Sequence, residues 1–254
     1  MRLRVLGCSG GIGAGLRTTA FLVDDDLLID AGTGVGDLDY ETMRRLRHVF
    51  VTHPHLDHVA SIPLLIDSLI DELDEPLVVH AERATIDALR THIFNGLIWP
   101  DFTRLPSDDA PALRFEPMEP GESHRVGDRT VASIRVRHTV PAVAFLCTGA
   151  SGAFCFSGDT TTNDTLWPAL NRAERLDLLI AEVGFSDREE ALARIARHYS
   201  PGLLARDLAH LEHRPRIAVT HLNPGDEERT MAELRAHLPG RELHRLQGDD
   251  TFTL

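Results

Sequence analysis

The chain has 254 residues, is 43% hydrophobic, and carries 39 acidic side chains against 26 basic ones, for a formal net charge of −13. That length and apolar content are enough for one domain over residues 1–254 with a sizeable core, while the acidic excess argues against a long nucleic acid held through many phosphate contacts. No apolar run is long enough to span a bilayer and Met1–Leu6 reads as a strand instead of a signal peptide, so no membrane partner and a cytoplasmic location are expected. Every basic residue is arginine, which excludes Schiff-base chemistry and a lysine-bearing phosphate loop. Cys8, Cys147 and Cys155 are too few and too irregular for a disulfide framework and read as buried free thiols.

Residues 2–7 read as a strand that runs into Gly7-Cys8-Ser9-Gly10-Gly11-Ile12-Gly13, which is either a tight connection or a place where backbone amides approach an anion. Thr19 to Val23 and Leu27 to Asp30 form a hairpin around three aspartates. A short helix follows near Tyr40 to Arg45. The alternating run His48-Val49-Phe50-Val51 then ends in Thr52-His53-Pro54-His55-Leu56-Asp57-His58, with four metal-ligand types in six positions. Imidazoles and a carboxylate suit a divalent ion, zinc first and Mn2+ or Fe2+ as alternatives. Apolar residues at helical spacing from Val59 to Ile70 predict a helix over 57–72 that begins at these ligands. A strand at Leu77-Val78-Val79 and a helix over 82–92 follow.

Residues 93–110 break the pattern. They gather Phe94, Trp99 and Phe102 beside proline and glycine, and read either as a buried irregular connection or as a lid whose Trp99, Phe102 and Asn95 contact a substrate. Residues 113–156 are strand-rich. His138 falls just past one strand and Asp159 just past another, where side chains can converge on a common rim. The remainder alternates helix (166–173, 188–197, 203–213, 227–237) with strand (176–182, 217–220), and places His198 and His221 at element edges. His80, His92, His124, His210, His213, His237 and His244 are placed on helix faces or loops without a companion ligand and read as solvated or locally hydrogen-bonded.

Zinc held by three protein ligands plus water lowers the pKa of that water towards neutrality, and a second ion shares the hydroxide. Two ions need a bridging carboxylate against their mutual repulsion, a role that suits Asp159. His53, His55 and His138 would complete one site, and Asp57, His58 and His221 the other.

His-x-His-x-Asp-His after a strand, then a later His, Gly-Asp, and Thr-His near the carboxyl end, resembles the metallo-β-lactamase superfamily of hydrolases. The resemblance implies an α/β fold, an αββα sandwich of two facing mixed sheets with outer helices. Thr-His-Pro-His-Leu-Asp-His, Leu-Gly-Cys-Ser-Gly-Gly, Ile-Trp-Pro and Thr-His-Leu further resemble the class II 3′,5′-cyclic nucleotide phosphodiesterases. Ala181-Glu182-Val183-Gly184-Phe185 with the later His198 is similar to ribonuclease Z.

These likenesses imply that a metal-bridged hydroxide steered by Asp57 hydrolyses a small anionic nucleotide, cyclic AMP or cyclic GMP, to its 5′-monophosphate. His198, oriented by Glu182, would protonate the leaving oxygen, and a homodimer is expected. No basic arm for transfer RNA is evident, which favours the small cyclic substrate. Thioester, lactone and sulfate-ester hydrolysis are the rival chemistries, because only the metal ligands are shared across the superfamily. A scaffold without chemistry would have lost ligands, and an oxygen-reducing di-iron variant would carry Glu in place of His55.

Overall fold

A computed structural model describes residues 1–254. The amino-terminal half builds a seven-stranded sheet from β1 (Arg2–Gly7), β2 (Ala20–Val23), β3 (Leu27–Ala31), β4 (His48–Val51), β5 (Leu77–Ala81) and β8 (Leu113–Pro117), completed by the late strand β16 (Thr251–Thr253). Its order is β16-β1-β2-β3-β4-β5-β8. The small ribbon β6 (Pro106–Ser107) and β7 (Ala110–Pro111) stands apart. The second sheet contains β9 (Ser123–Val126), β10 (Arg129–Arg137), β11 (Pro141–Thr148), β12 (Ala153–Phe156), β13 (Leu178–Glu182), β14 (Arg216–Thr220) and β15 (Leu243–Arg245), ordered β15-β14-β13-β12-β11-β10-β9. Both sheets mix parallel and antiparallel pairs.

Helices α1 (Tyr40–Arg45), α2 (Leu56–Val59), α3 (Ser61–Leu69) and α4 (Arg83–His92) belong to the first half, and α5 (Leu166–Asn171), α6 (Glu190–Ala196), α7 (Pro201–Leu208) and α8 (Glu227–His237) to the second. No helix is long and apolar enough to cross a membrane. The layers follow from strand alternation. On β4, Val49 and Val51 pack with Ile62, Leu65, Ile66 and Leu69 of α3, whereas Phe50 joins the core between the sheets. On β13, Leu178 and Ile180 enter that same central core, while Leu179 and Ala181 meet Leu203 and Leu204 of α7 and Met231 and Leu234 of α8. Both faces of each sheet are thereby covered, as an αββα sandwich requires, and central strands with both faces buried read as continuous apolar runs.

The sheets are also joined directly. Phe21 of β2 meets Phe156 of β12 edge-on with ring centroids 4.9 Å apart. Arg129 of β10, almost fully buried, crosses to the β2–β3 turn and pairs with Asp24 at 3.0 Å and Asp26 at 2.7 Å.

Several elements differ from the sequence expectation. The helix expected over 57–72 starts at Leu56, pauses at Ala60 and ends at Leu69. The one expected over 203–213 begins two residues earlier, because Pro201 has the fixed φ and missing N–H that suit a first helical position. Strands β15 and β16 escape the sequence reading altogether: each has three residues, too few to show a period. β16 pairs with β1, Leu3 opposite Phe252, and draws the two chain ends together.

The lid reading of residues 93–110 is corrected. Phe102 is 2% exposed and belongs, with Phe94, to the core under the first sheet, against which Trp99 also packs. Asn95 spends its side chain locally, accepting from the N–H groups of Leu97 and Ile98 and donating to the Thr91 carbonyl. The segment is the buried irregular connection, because its aromatics gain more from apolar burial than from solvent.

If Phe21 and Phe156 hold the sheets face to face, a double-mutant cycle with Phe21→Leu and Phe156→Leu, followed by urea unfolding, should give a coupling of about 0.5–1.5 kcal/mol.

Candidate metal centre

The histidine-rich stretch leaves the end of β4 in extended backbone. His53 and His55 precede α2, and Asp57 and His58 lie in its first turn. Pairing between β3 and β4 brings Asp30 beneath them. Asp30 accepts from the Thr52 N–H and hydroxyl, each at 2.8 Å, and lies 2.6 Å from His58 Nδ1. His58 Nδ1 donates to this carboxylate, which turns the lone pair of Nε2 inwards.

The opposite sheet supplies the remainder from the loops beyond its strands. His138 follows β10, and its Nδ1 lies 3.1 Å from the Arg197 carbonyl, so Nε2 faces the centre. Asp159 follows Gly158, whose φ of +59° and the 2.6 Å that would separate an added Cβ from the Val143 carbonyl leave room for glycine alone. His221 follows β14 with φ +60°, and its N–H bonds the Cys8 carbonyl at 2.8 Å. Gly10 packs there too, since a Cβ on it would stand 2.7 Å from the His221 carbonyl. The Gly-rich turn after β1 is thus a close-packed connection against the His221 loop.

The structure brings all seven sequence-selected ligand candidates together. The ligand atoms of His53, His55, His138 and Asp159 lie within 4.8 Å of one another, as do those of Asp57, His58, Asp159 and His221. Asp159 belongs to both groups. Its Oδ2 lies 3.3 Å from His58 Nε2, 3.2 Å from His221 Nε2 and 3.7 Å from His53 Nε2, while Asp57 Oδ2 is 3.1 Å from His221 Nε2. Buried polar atoms ordinarily find partners, yet His53 Nε2, His58 Nε2 and Asp159 Oδ1 have none. Lone pairs from two sheets, converging in a buried space without hydrogen-bond partners, fit divalent cations bound by nitrogen and oxygen.

The electrostatics divide the imidazoles. Burial drives His53 well below the usual imidazole range and lowers His55 and His138, which keeps these rings neutral. Against burial, Asp159 and Asp30 raise His58 well above that range and Asp159 and Asp57 raise His221, so on these two rings a bound cation would take the place of a proton. Burial opposes charge on Asp159, but His221, His58 and His53 outweigh it and hold the carboxyl well below the ordinary range. Asp57 is likewise held down, against burial, by hydrogen bonds with His221 and His58.

Glu182 and His198 adjoin the cluster. Glu182, fully buried at the end of β13, accepts from the Thr160 and Tyr199 N–H groups through Oε1 and from Gly184 through Oε2. His198 Nδ1 lies 3.1 Å from Glu182 Oε1, and the His198 ring stacks on that of His221 with centroids 5.2 Å apart. Burial lowers the His198 pKa, but Glu182 more than reverses this and raises it to about 9. Asn95, Trp99 and Phe102 line no part of the large cavity that opens beside His138.

Sequence reasoning missed Asp30, Arg197 and Gly32. A Cβ on Gly32 would stand 2.2 Å from the Asp57 carbonyl. Only the position of Asp30 at a strand end, ahead of Ala31-Gly32, hints at its place. The placement of His80 and His124 on helix faces or loops without a companion is corrected: His80, 1% exposed, lies on β5 and His124 on β9, and both sit with His48, which hydrogen-bonds His80.

A family model described as the Beta-lactamase superfamily domain matches residues 26–243. The chain belongs to this superfamily. Its αββα sandwich is the metallo-β-lactamase fold, and unliganded yeast PDE1 superposes over 100% of this chain and 99% of that one with a TM-score of 0.83, at 17% identity. Among superfamily relatives, a probable 3′,5′-cyclic-nucleotide phosphodiesterase of Yersinia pestis is 28% identical over 68% of this chain and 53% of its own length. A ribonuclease Z of Haloferax volcanii is 29% identical over 57% of this chain and 45% of its own. The chain therefore spans about half the length of these two relatives.

Because Asp30 fixes the His58 ring, Asp30→Ala should weaken zinc affinity about 10–100-fold. Competition against a chromophoric chelator measures this, and unchanged affinity would remove Asp30 from the centre.

Proposed function

We propose that the protein is a phosphodiesterase that hydrolyses 3′,5′-cyclic nucleotides to 5′-monophosphates, using two divalent cations, zinc first, held by His53, His55 and His138 and by Asp57, His58 and His221, with Asp159 shared. The observation that carries the reading is the His198–Glu182 pair: at the rim of the ligand cluster His198 Nδ1 lies 3.1 Å from Glu182 Oε1, a contact that suits an imidazolium proton donor. The name of the Yersinia relative supports a cyclic nucleotide as its substrate.

Size supports a small substrate. A cavity of about 1160 Å³ adjoins His138, and its walls carry Arg135, Arg137 and Arg197 balanced by Glu82, Asp164 and Asp207. Pocket volumes of about 300–1,000 Å³ suffice for drug-sized ligands. The overall charge of −13 disfavours an extended RNA backbone.

Divalent cations, when bound, would supply Lewis-acid stabilisation of charge on the phosphate and a lowered pKa for water. The side chains have separate tasks. Asp57, ionised and half-buried, accepts a hydrogen bond from the attacking water and orients it towards phosphorus, in line with the 3′ oxygen. The bond from phosphorus to the 3′ oxygen breaks, and His198 donates its proton to that oxygen. Glu182 keeps the ring charged and correctly turned.

The purified protein with zinc should convert cyclic AMP or cyclic GMP to the 5′-monophosphate, and Asp159→Ala should lose both zinc and turnover. A second reading, ribonuclease Z-like cleavage, is favoured by the comparable identity of the Haloferax relative. Turnover of a precursor transfer RNA together with inertness towards both cyclic nucleotides would select it.

His198→Ala should lower kcat by about 10²–10⁴-fold with zinc content unchanged. The raised His198 pKa means that the active, protonated form is complete below the ordinary imidazole range and is lost as pH rises through about 9. Glu182→Gln should therefore move the alkaline limb of the kcat profile to lower pH. A limb that stays in place would show that His198 is not the proton donor.

A further inference from the structure

Three histidines outside the centre converge from both sheets. His48 begins β4 and His80 lies on the adjacent β5, where Phe50 pairs with His80 in register. His48 and Phe50, two residues apart on one strand, therefore share a face with His80, and that face looks towards the second sheet, since Phe50 belongs to the central core. His124, on the edge strand β9 of the second sheet, comes to meet them. The His80 ring stacks on Phe50 at 4.3 Å and lies 4.3 Å from that of His124.

Six ring nitrogens meet at the edge of the central core, yet they make one hydrogen bond among themselves, His48 Nδ1 to His80 Nε2 at 2.9 Å. The nearest carboxylate contact is His80 Nδ1 to Glu116 Oε2 at 3.5 Å. One nitrogen from each ring lies within 4.8 Å of the other two. A tetrahedral zinc with bonds of about 2.0–2.1 Å needs ligand nitrogens about 3.4 Å apart, a spacing between the 2.9 Å of the His48–His80 contact and the 4.8 Å limit of the cluster. His48 and His124 are half-buried, so an ion can enter, and His80 is buried behind them.

We propose that His48, His80 and His124 form a separate binding site for one divalent transition-metal ion of the imidazole-preferring kind, zinc, copper or nickel, which clamps the first sheet to the edge strand of the second. The site is distinct from the metal centre. His48 stands at the start of β4 and His53 just past its end, five residues or roughly 16 Å along an extended chain. Imidazole is the ligand these metals favour, and His80 is kept neutral, as a ligand must be, by burial and by His124 and His48, which press its pKa to about 3. Arg129, a cation that acts on His48, is already engaged by Asp24 and Asp26. Glu116 stands ready to orient His80 through Nδ1.

The test compares the protein with its His48→Gln/His124→Gln variant by equilibrium dialysis against zinc and, separately, nickel. The proposal expects the variant to bind one ion fewer per chain and to show a smaller zinc-induced rise in Tm. Equal stoichiometry in the two proteins overturns it, whatever the metal centre binds and whatever substrate is turned over. A second measurement needs no variant: carbethoxylation of the unaltered protein, mapped by peptide mass spectrometry. Zinc should slow modification of His48 and His124 at least tenfold while the exposed His92 reacts as before. Unaltered labelling of His48 and His124 in zinc overturns the proposal equally.

Discussion

A carboxylate with 1% of its surface exposed, Asp159, stands at the meeting point of three imidazoles, and the rest of the molecule is arranged around that fact. Burying a charge is costly unless opposite charge or coordination compensates. Here the compensation comes from chain segments more than a hundred residues apart: His53 and His58 beyond β4, His221 beyond β14. Each sheet alone presents only part of the set. Facing the sheets is therefore what assembles the centre, and the central core of Phe21, Phe50, Phe145 and Phe156 is what holds that facing.

Backbone strain is concentrated at the same place. Five non-glycine residues have positive φ, and three of them, Asp30, Arg197 and His221, touch the cluster. Such conformations cost about 1–3 kcal/mol each and persist where surrounding structure enforces them. The enforcement is visible. Asp30 is held by Thr52 and His58. Arg197 is held by His138, whose ring meets its carbonyl and whose own carbonyl accepts from its guanidinium. His221 is held by the Cys8 carbonyl. The strain places the residue that follows: Arg197, left-handed at the end of α6, turns the chain so that His198 meets Glu182.

The charge distribution separates fold from chemistry. Most ion pairs lie on solvated surfaces, for example Arg104 with Asp108 and Arg194 with Glu190, where each adds little to stability. Buried charged groups and imidazoles instead gather in a few places: the metal centre, the Glu182–His198 pair, the Arg129 clip, Glu82 with Arg135, Asp207 with Tyr199 and Trp167, and the histidine triad at the edge of the central core.

The sequence by itself determined the candidate ligand set and most of the elements. His53, His55, Asp57 and His58 are legible because the motif is local, a strand end followed by a helix start, and ligand chemistry is a property of residue type. His138, Asp159 and His221 are legible because each stands where a strand stops. Tertiary structure alone decided the supporting shell and the triad. A strand end ahead of Ala31-Gly32 puts Asp30 near a rim, but only the pairing of β3 with β4 puts it under His58. His48 and His80 become neighbours only through the pairing of β4 with β5, and His124 only through sheet facing. The aromatics of residues 93–110 were ambiguous for the same reason: a Phe next to Pro and Gly suits a mobile cover or a buried connection equally well, and the apolar surface available beneath it, a property of the folded whole, made the choice.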